Sequence, residues 1–256
     1  MENNGIWTET FRMDAFMVNR NREATFTSVG NLFQEVAGNH AFCRQVDFYS
    51  MQEKGLYWVL NKMKIQMHKF PIWREKVVVN TWVSEMQPFS HRHFELQNLA
   101  GETLGCGISL WIPIDATTNR PRRLKDYDIQ LVAKETALGM PQKLPEMAQN
   151  DENTEGVALP NETKTKQFFA SERLVEYSDL DMLGHVNNVK YTEWMLDNFH
   201  RKNDIFEYKT LEINYLDEVK LGEIIKIEPH FLAGNLNYSL KRNSDNKEVC
   251  RARFSI

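Results

Sequence analysis

The same order of patterns occurs twice along this chain, and that repetition limits the folds open to it more than any other feature. In the first half, residues 26–46 carry apolar side chains at Val29, Leu32, Phe33, Val36, Ala37 and Phe42, a helical stripe. Strand-like runs follow at 56–67, 76–83, 91–99 and 103–114, with a turn at Ala100 and Gly101. In the second half, residues 188–200 again read as an amphipathic helix, with Tyr191, Met195 and Phe199 spaced by four and Trp194 beside them. Strands at 208–216, 223–232, 236–241 and 248–256 follow, and residues 243–246 supply the last hairpin turn. Between the copies, Pro141, Pro145 and Pro160 punctuate a stretch rich in Glu, Asn, Gln and Thr, which reads as a crossover linker. A long helix followed by antiparallel strands, twice over, predicts an α+β duplication in which each sheet wraps its helix and the sheets join edge to edge. The expected division is an N-terminal domain over 1–140, a linker over 141–166 and a C-terminal domain over 167–256.

Composition narrows the function classes. With 42% apolar and 26% charged residues in 256, the chain is of ordinary globular make-up, and its net charge of −4 offers no general attraction to nucleic acid. No apolar run approaches the roughly 18 residues that span a bilayer, and the start of the chain has neither a basic nor an apolar leader segment. Cys43, Cys106 and Cys250 are too scattered for a disulfide framework or a zinc site, so a reducing cytoplasm is expected. No GxSxG elbow, HExxH or P-loop occurs, and neither a metal nor a cofactor is expected. Gly105 and Gly107 flank Cys106 in a strand-like run, which points to a bulge or to tight packing.

The chemistry concentrates in Tyr177-Ser-Asp-Leu-Asp-Met-Leu-Gly-His-Val-Asn-Asn-Val-Lys-Tyr191. Asp181 and His185 stand four apart with Gly184 between them, a residue that lets the backbone fold tightly. Asn187 and Asn188 are good helix N-caps and lead into the second helix. A carboxylate, an imidazole and a helix N-terminus in one place suit hydrolysis through an oxyanion. The matching segment of the first half, residues 19–28, has no such Asp and His, so the halves are expected to divide the work.

The string resembles the hot-dog-fold thioesterase signature Tyr-x-Asp-x-Asp-x-x-Gly-His-Val-Asn-Asn-x-x-Tyr. Over residues 11–256 the chain is similar to the acyl-acyl carrier protein thioesterases of plants and bacteria. In the first half the likeness rests on Leu56-Tyr-Trp-Val-Leu-Asn-Lys-Met63, on residues 70–83 and on Arg122-Arg-Leu124; in the second it rests on residues 180–191 and on Ile213-Asn-Tyr-Leu-Asp-Glu218. It implies a tandem hot-dog fold and hydrolysis of fatty acyl-carrier-protein thioesters, with Asp181, His185 and Glu218 as catalytic residues and Asn187 and Asn188 in support. The plant enzymes place an asparagine at the position of Leu183 and a cysteine at that of Val219, so a cysteine nucleophile is absent here and a carboxylate- and His-activated water is expected.

The acidic carrier protein is the implied partner, docking on Arg120, Arg122, Arg123 and Lys125, with a second basic tract at Lys62, Lys64, His68, Lys69 and Arg74. A homodimer is compatible with such a chain. Phe33, Trp58 and Met63, with Met67, are candidates to line an acyl pocket, against the plainer reading of ordinary core. The competing functions are an acyl-CoA thioesterase of the same fold, a hot-dog dehydratase, and a non-catalytic acyl-chain binder. The last draws weight from the missing Asn and Cys, and the three ionisable groups oppose it.

Overall fold

The computed structural model describes residues 2–86, 89–123, 131–132, 134, 138–146, 168–203, 206–232 and 234–256. The chain divides into two compact units, Met1–Pro141 and Gln142–Ile256.

Unit 1 contains strands β1 (Glu2–Asn3) and β2 (Ile6–Arg12), a one-turn 3-10 helix (Ala15–Met17), helices α1 (Phe26–Cys43) and α2 (Phe48–Glu53), and strands β3 (Leu56–Met67), β4 (Lys76–Glu85), β5 (Ser90–Asn98), β6 (Thr103–Asp115) and β7 (Arg120–Pro121). The strands run antiparallel in the order β1-β2-β4-β5-β6-β3, with β7 paired to β6. Thr25 caps α1 by accepting from Ser28 N, and the buried stripe of α1 is Phe26, Val29, Gly30, Leu32, Phe33, Val36, Ala37 and His40. Phe42 departs from expectation. It is 70% exposed, because the i, i+3/i+4 series passes through His40 and leaves position 42 on the outer side.

Phe33 is fully buried and stacks on Phe94 of β5 at 4.5 Å between ring centroids. Of the two glycines beside Cys106, Gly107 leaves room for this ring and Gly105 leaves room for Met67. A Cβ on Gly107 would come within 2.6 Å of the Phe33 ring, and one on Gly105 within 2.5 Å of the Met67 sulfur. Both expectations hold here: the glycines pack tightly, and Gly105 also adjoins a bulge, since Leu96 faces Gly105 and Gln97 faces Thr103 with Leu104 left as an extra residue.

Another bulge occurs in β3. Leu60 faces Trp111 and Lys62 faces Leu110, which leaves Asn61 as an extra residue. Partners directly opposite in an antiparallel pair share a face. Trp58, Leu60, Met63, Ile65 and Met67 therefore share the face of Pro113, Trp111, Ser109, Gly107 and Gly105, which is the face covered by α1.

Unit 2 contains β8 (Ser171–Leu174), a one-turn 3-10 helix (Tyr177–Asp179), α3 (Asn188–His200), β9 (Thr210–Tyr215), β10 (Ile224–Leu232), β11 (Asn235–Arg242) and β12 (Glu248–Ser255). Its antiparallel order is β9-β12-β11-β10-β8. Tyr191, Trp194, Met195 and Phe199 are buried on α3. Fully burying side chains of this size stabilises by about 1.5–3 kcal/mol each. The polar Asn198 among them is satisfied by the Phe169 carbonyl at 2.9 Å, the Ser171 hydroxyl at 2.8 Å and the Tyr238 hydroxyl at 3.2 Å. Of the expected linker, residues 147–166 lie outside the described residues. Leu144 is fastened to unit 2, its N–H donating to Asn214 at 2.9 Å and its carbonyl accepting from Arg251 at 2.6 Å.

Candidate functional site

The turn that precedes α3 carries the candidate residues. Leu180 and Val186 close it as an isolated antiparallel bridge, Asp181 N donates to His185 O at 2.8 Å, and Gly184 N donates to Asp181 O at 3.0 Å. Gly184 turns the chain at φ 75°, a conformation that strains an L side chain. Because a Cβ there would meet nothing within 4 Å, conformation and not space asks for glycine. One oxygen of Asp181 accepts from Leu183 N at 2.8 Å and from His185 N at 3.3 Å.

Past the turn, Val186 N donates to Val219 O at 2.9 Å and His185 bridges to Lys220. These backbone links set His185 against the loop after β9, where its Nε2 lies 3.3 Å from Glu218 Oε2, with the two side chains 23% and 43% exposed. A water and a substrate carbonyl can therefore reach the pair. Val219, at the place the resemblance gives to a cysteine, is fully buried. Of the two asparagines, Asn187 is the N-cap, accepting from Val189 N at 3.2 Å. Asn188 is the first residue of α3, and its carbonyl accepts from the Tyr215 hydroxyl at 3.2 Å. The positive end of α3 thus opens two residues beyond His185.

Asp179 belongs to the same turn and escaped the sequence reading as a site residue, although it is the first acid of the signature. It is fully buried, accepts from Glu176 N at 2.9 Å, and lies 3.4 Å from Arg173 and 4.0 Å from Lys190. Its carbonyl accepts from Asn187 N at 2.8 Å, which ties the turn to the helix cap.

Unit 1 contains the same turn with other side chains. Val18 bridges to Ala24, Asn19 N donates to Glu23 O at 2.8 Å, and the Asn19 side chain accepts from Asn21 N at 2.8 Å and Glu23 N at 3.1 Å. Arg22 holds φ 65° in the place of Gly184, Thr25 caps α1 as Asn187 caps α3, and Ala24 N donates to Pro71 O at 2.8 Å as Val186 N does to Val219 O. In this correspondence Glu23 stands for His185 and Phe70 for Glu218.

The other sequence candidates lie in unit 1. Trp58 and Met63 lie on the helix-facing side of its sheet, Phe33 packs onto that side from α1, and the Trp58 indole N–H donates to the Val46 carbonyl at 2.8 Å. Arg120, Arg122 and Arg123 are exposed, with Arg122 paired to Asp115 at 2.7 Å; Lys125 lies outside the described residues. Among the described residues no group of three or more His, Cys, Asp or Glu side chains could hold a metal ion, and no helix is long and apolar enough to cross a membrane.

Comparison with known proteins agrees at both ends of the chain. The acyl-ACP thioesterase N-terminal domain matches residues 5–131 and the acyl-ACP thioesterase C-terminal domain matches residues 162–255. Oleoyl-acyl carrier protein thioesterase 2 of Arabidopsis thaliana is 30% identical over 237 residues, covering 88% of this chain and 63% of that protein. The chain thus spans less than two thirds of the length of such plant relatives. Among solved structures, an acyl-ACP thioesterase from Bacteroides thetaiotaomicron superposes with a TM-score of 0.83 at 25% identity over 98% of each chain. The 12:0-ACP thioesterase of Umbellularia californica superposes with a TM-score of 0.81 at 21% identity, over 100% of this chain and 98% of that one. The fold is the tandem hot-dog type implied by the resemblance, an α+β duplication as the repeated pattern predicts.

Proposed function

Because the chain belongs to the acyl-ACP thioesterase family, we propose that it hydrolyses fatty acyl-acyl carrier protein thioesters to free fatty acid and carrier thiol. The observation that carries this reading is the His185–Glu218 pair, 3.3 Å apart at the positive end of α3. Glu218 takes a proton from water as the water oxygen attacks the thioester carbonyl carbon. His185 holds the water or the carbonyl oxygen, on which negative charge develops. The intermediate collapses by breaking the C–S bond, and the thiolate takes up a proton. Asp181 is the second carboxyl of the turn; it accepts from the backbone N–H groups of Leu183 and His185 and so orients the residue that bears the imidazole.

A thioester is already electrophilic and its thiolate leaves readily, so little more is needed. General-base help is worth about 10²–10⁴-fold, and one oxyanion donor about 3 kcal/mol. With Val219 buried where the plant enzymes have cysteine, the mechanism runs through water and not through an acyl-cysteine.

The halves divide the task. Residues 1–140 hold the acyl chain along the face of Phe33, Trp58 and Met63, residues 167–256 perform the chemistry, and residues 141–166 connect them. The acidic carrier docks on Arg120, Arg122, Arg123 and Lys125, steered by opposite charge. The test is a panel of acyl-carrier-protein and acyl-CoA thioesters of several chain lengths with purified protein. Higher kcat/KM on the carrier-protein series is the expected result. Turnover of CoA thioesters alone would move the carrier assignment, and binding without turnover of any thioester would make the protein an acyl-chain binder.

A further inference from the structure

The loop that carries Glu218 has a counterpart in unit 1, residue for residue. Glu223 accepts from Lys220 N at 2.8 Å as Glu75 accepts from Ile72 N at 2.9 Å. Gly222 (φ 81°) donates its N–H to Val175 O at 3.0 Å, and Arg74 (φ 67°) donates to Met13 O at 2.8 Å. The strands that follow keep the correspondence, so Ile225 of β10 matches Val77 of β4. Ile225 pairs with Arg242 on β11, and Val77 pairs with Asn98 on β5. Arg242 and Asn98 therefore occupy one structural position in the two units.

They do different things there. Asn98 folds its own hairpin, donating to Glu102 at 2.7 Å and accepting from Ala100 N and Glu102 N at 3.0 Å each. Arg242 reaches out of its hairpin to the Glu218 loop. One terminal nitrogen donates to the Glu218 carbonyl at 2.7 Å and to Asp217 at 2.7 Å. Its Nε lies 3.0 Å from Glu223 as an ion pair without hydrogen-bond alignment, and its other terminal nitrogen holds Asp245 at 3.0 Å. Only the Asp245 contact serves the hairpin. The other three fasten residues 217, 218 and 223, the frame from which Glu218 projects toward His185. A guanidinium suits this work because its rigid fork satisfies several acceptors at once.

We infer that Arg242 is a positioning residue for the Glu218 carboxylate, a role that rests on the reading of Glu218 as the catalytic base. It does not touch the reacting atoms. A misplaced base costs turnover while binding persists, and a displacement of about 1 Å can cost 10²-fold.

The test measures kcat and KM of Arg242→Gln, Glu218→Gln and the double variant on one acyl-carrier-protein thioester, with thermal unfolding of each. Arg242→Gln should lower kcat by about 10- to 100-fold with KM within about two-fold. The double variant should be no slower than Glu218→Gln alone, because a misplaced base and an absent one fail together. Additive losses, or wild-type kcat in Arg242→Gln beside a slow Glu218→Gln, would overturn the inference and leave the reading of the site standing. Wild-type turnover in Glu218→Gln would instead remove that reading. Should Arg242→Gln fail to fold, Arg242→Lys takes its place: the cation is kept, the fork is lost, and the same kcat loss and the same non-additivity with Glu218→Gln are required.

Discussion

Asn19 and Asp181 hold their turns with the same pair of backbone N–H groups, yet only the second turn sets an imidazole against a carboxylate. The comparison separates scaffold from chemistry. The bridge, the left-handed residue, the helix cap and the carbonyl that receives the next N–H are common to both units, so none of them is evidence of catalysis. Among the side chains that differ, three bear on the chemistry: Glu23 against His185, Phe70 against Glu218, and an amide against a carboxyl at the head of the turn. Phe70 in the first unit meets Phe26 edge-on at 5.2 Å, so the position that holds the Glu218 carboxyl in one copy holds hydrocarbon in the other.

The largest effect is expected at the second turn. Asp181→Asn and His185→Ala should each lower kcat/KM by about two orders of magnitude or more, with circular dichroism unchanged. Asn19 already makes this turn with an amide, so Asp181→Asn removes charge without removing either hydrogen bond. Glu23→Ala in the first turn should leave turnover alone. Near-wild-type activity in both second-turn variants would dissolve the contrast between the copies.

A smaller effect tests the first unit as the chain-length ruler. Met63→Ala should shift preference toward longer acyl chains, because one methylene discriminates by about 1–3 kcal/mol, while kcat on the best substrate stays close to its original value. The measurement is a chain-length profile of both proteins side by side. Shifts arising only from second-unit substitutions would reverse the assignment.

The smallest effect is none at all. Cys43 is exposed, whereas burial raises the thiol of Cys106 and pushes that of Cys250 far up. Iodoacetamide should label Cys43 and leave turnover intact. Loss of activity that substrate protects against would bring a cysteine into the site.

The long elements could be read from the sequence because helical stripes and apolar runs bounded by turn residues mark them, even where β6 and β9 are buried on consecutive residues. The α1 stripe apart from Phe42, the α3 stripe and the four principal strands of each unit lie where the patterns put them, with ends shifted by a few residues. The six-residue α2 is too short for a period to show, and β2 and β8 carry little alternation because most of their side chains are only partly buried or exposed. Asp181 and His185 were visible because they fall in one contiguous string. Glu218 entered through family resemblance, and Arg242 through neither, since its position opposite Ile225 is fixed by strand register. The capping role was assigned to both asparagines because either has the chemistry; the backbone gives it to Asn187 and makes Asn188 helical.

The extra residue in β3 acts as a frameshift written in structure. A strand is read in twos, and Asn61 is a single inserted character that changes the reading phase between Leu60 and Met63. Upstream, inward residues fall on even numbers, as in Leu56, Trp58 and Leu60; downstream they fall on odd ones, as in Met63, Ile65 and Met67. Deleting Asn61 would set Leu60 and Met63 two positions apart and leave both sets facing inward in a single, unbroken phase. For the same reason, aligning β3 with an unbulged strand requires a one-residue gap at this point, or inward positions will be matched to outward ones on one side of it.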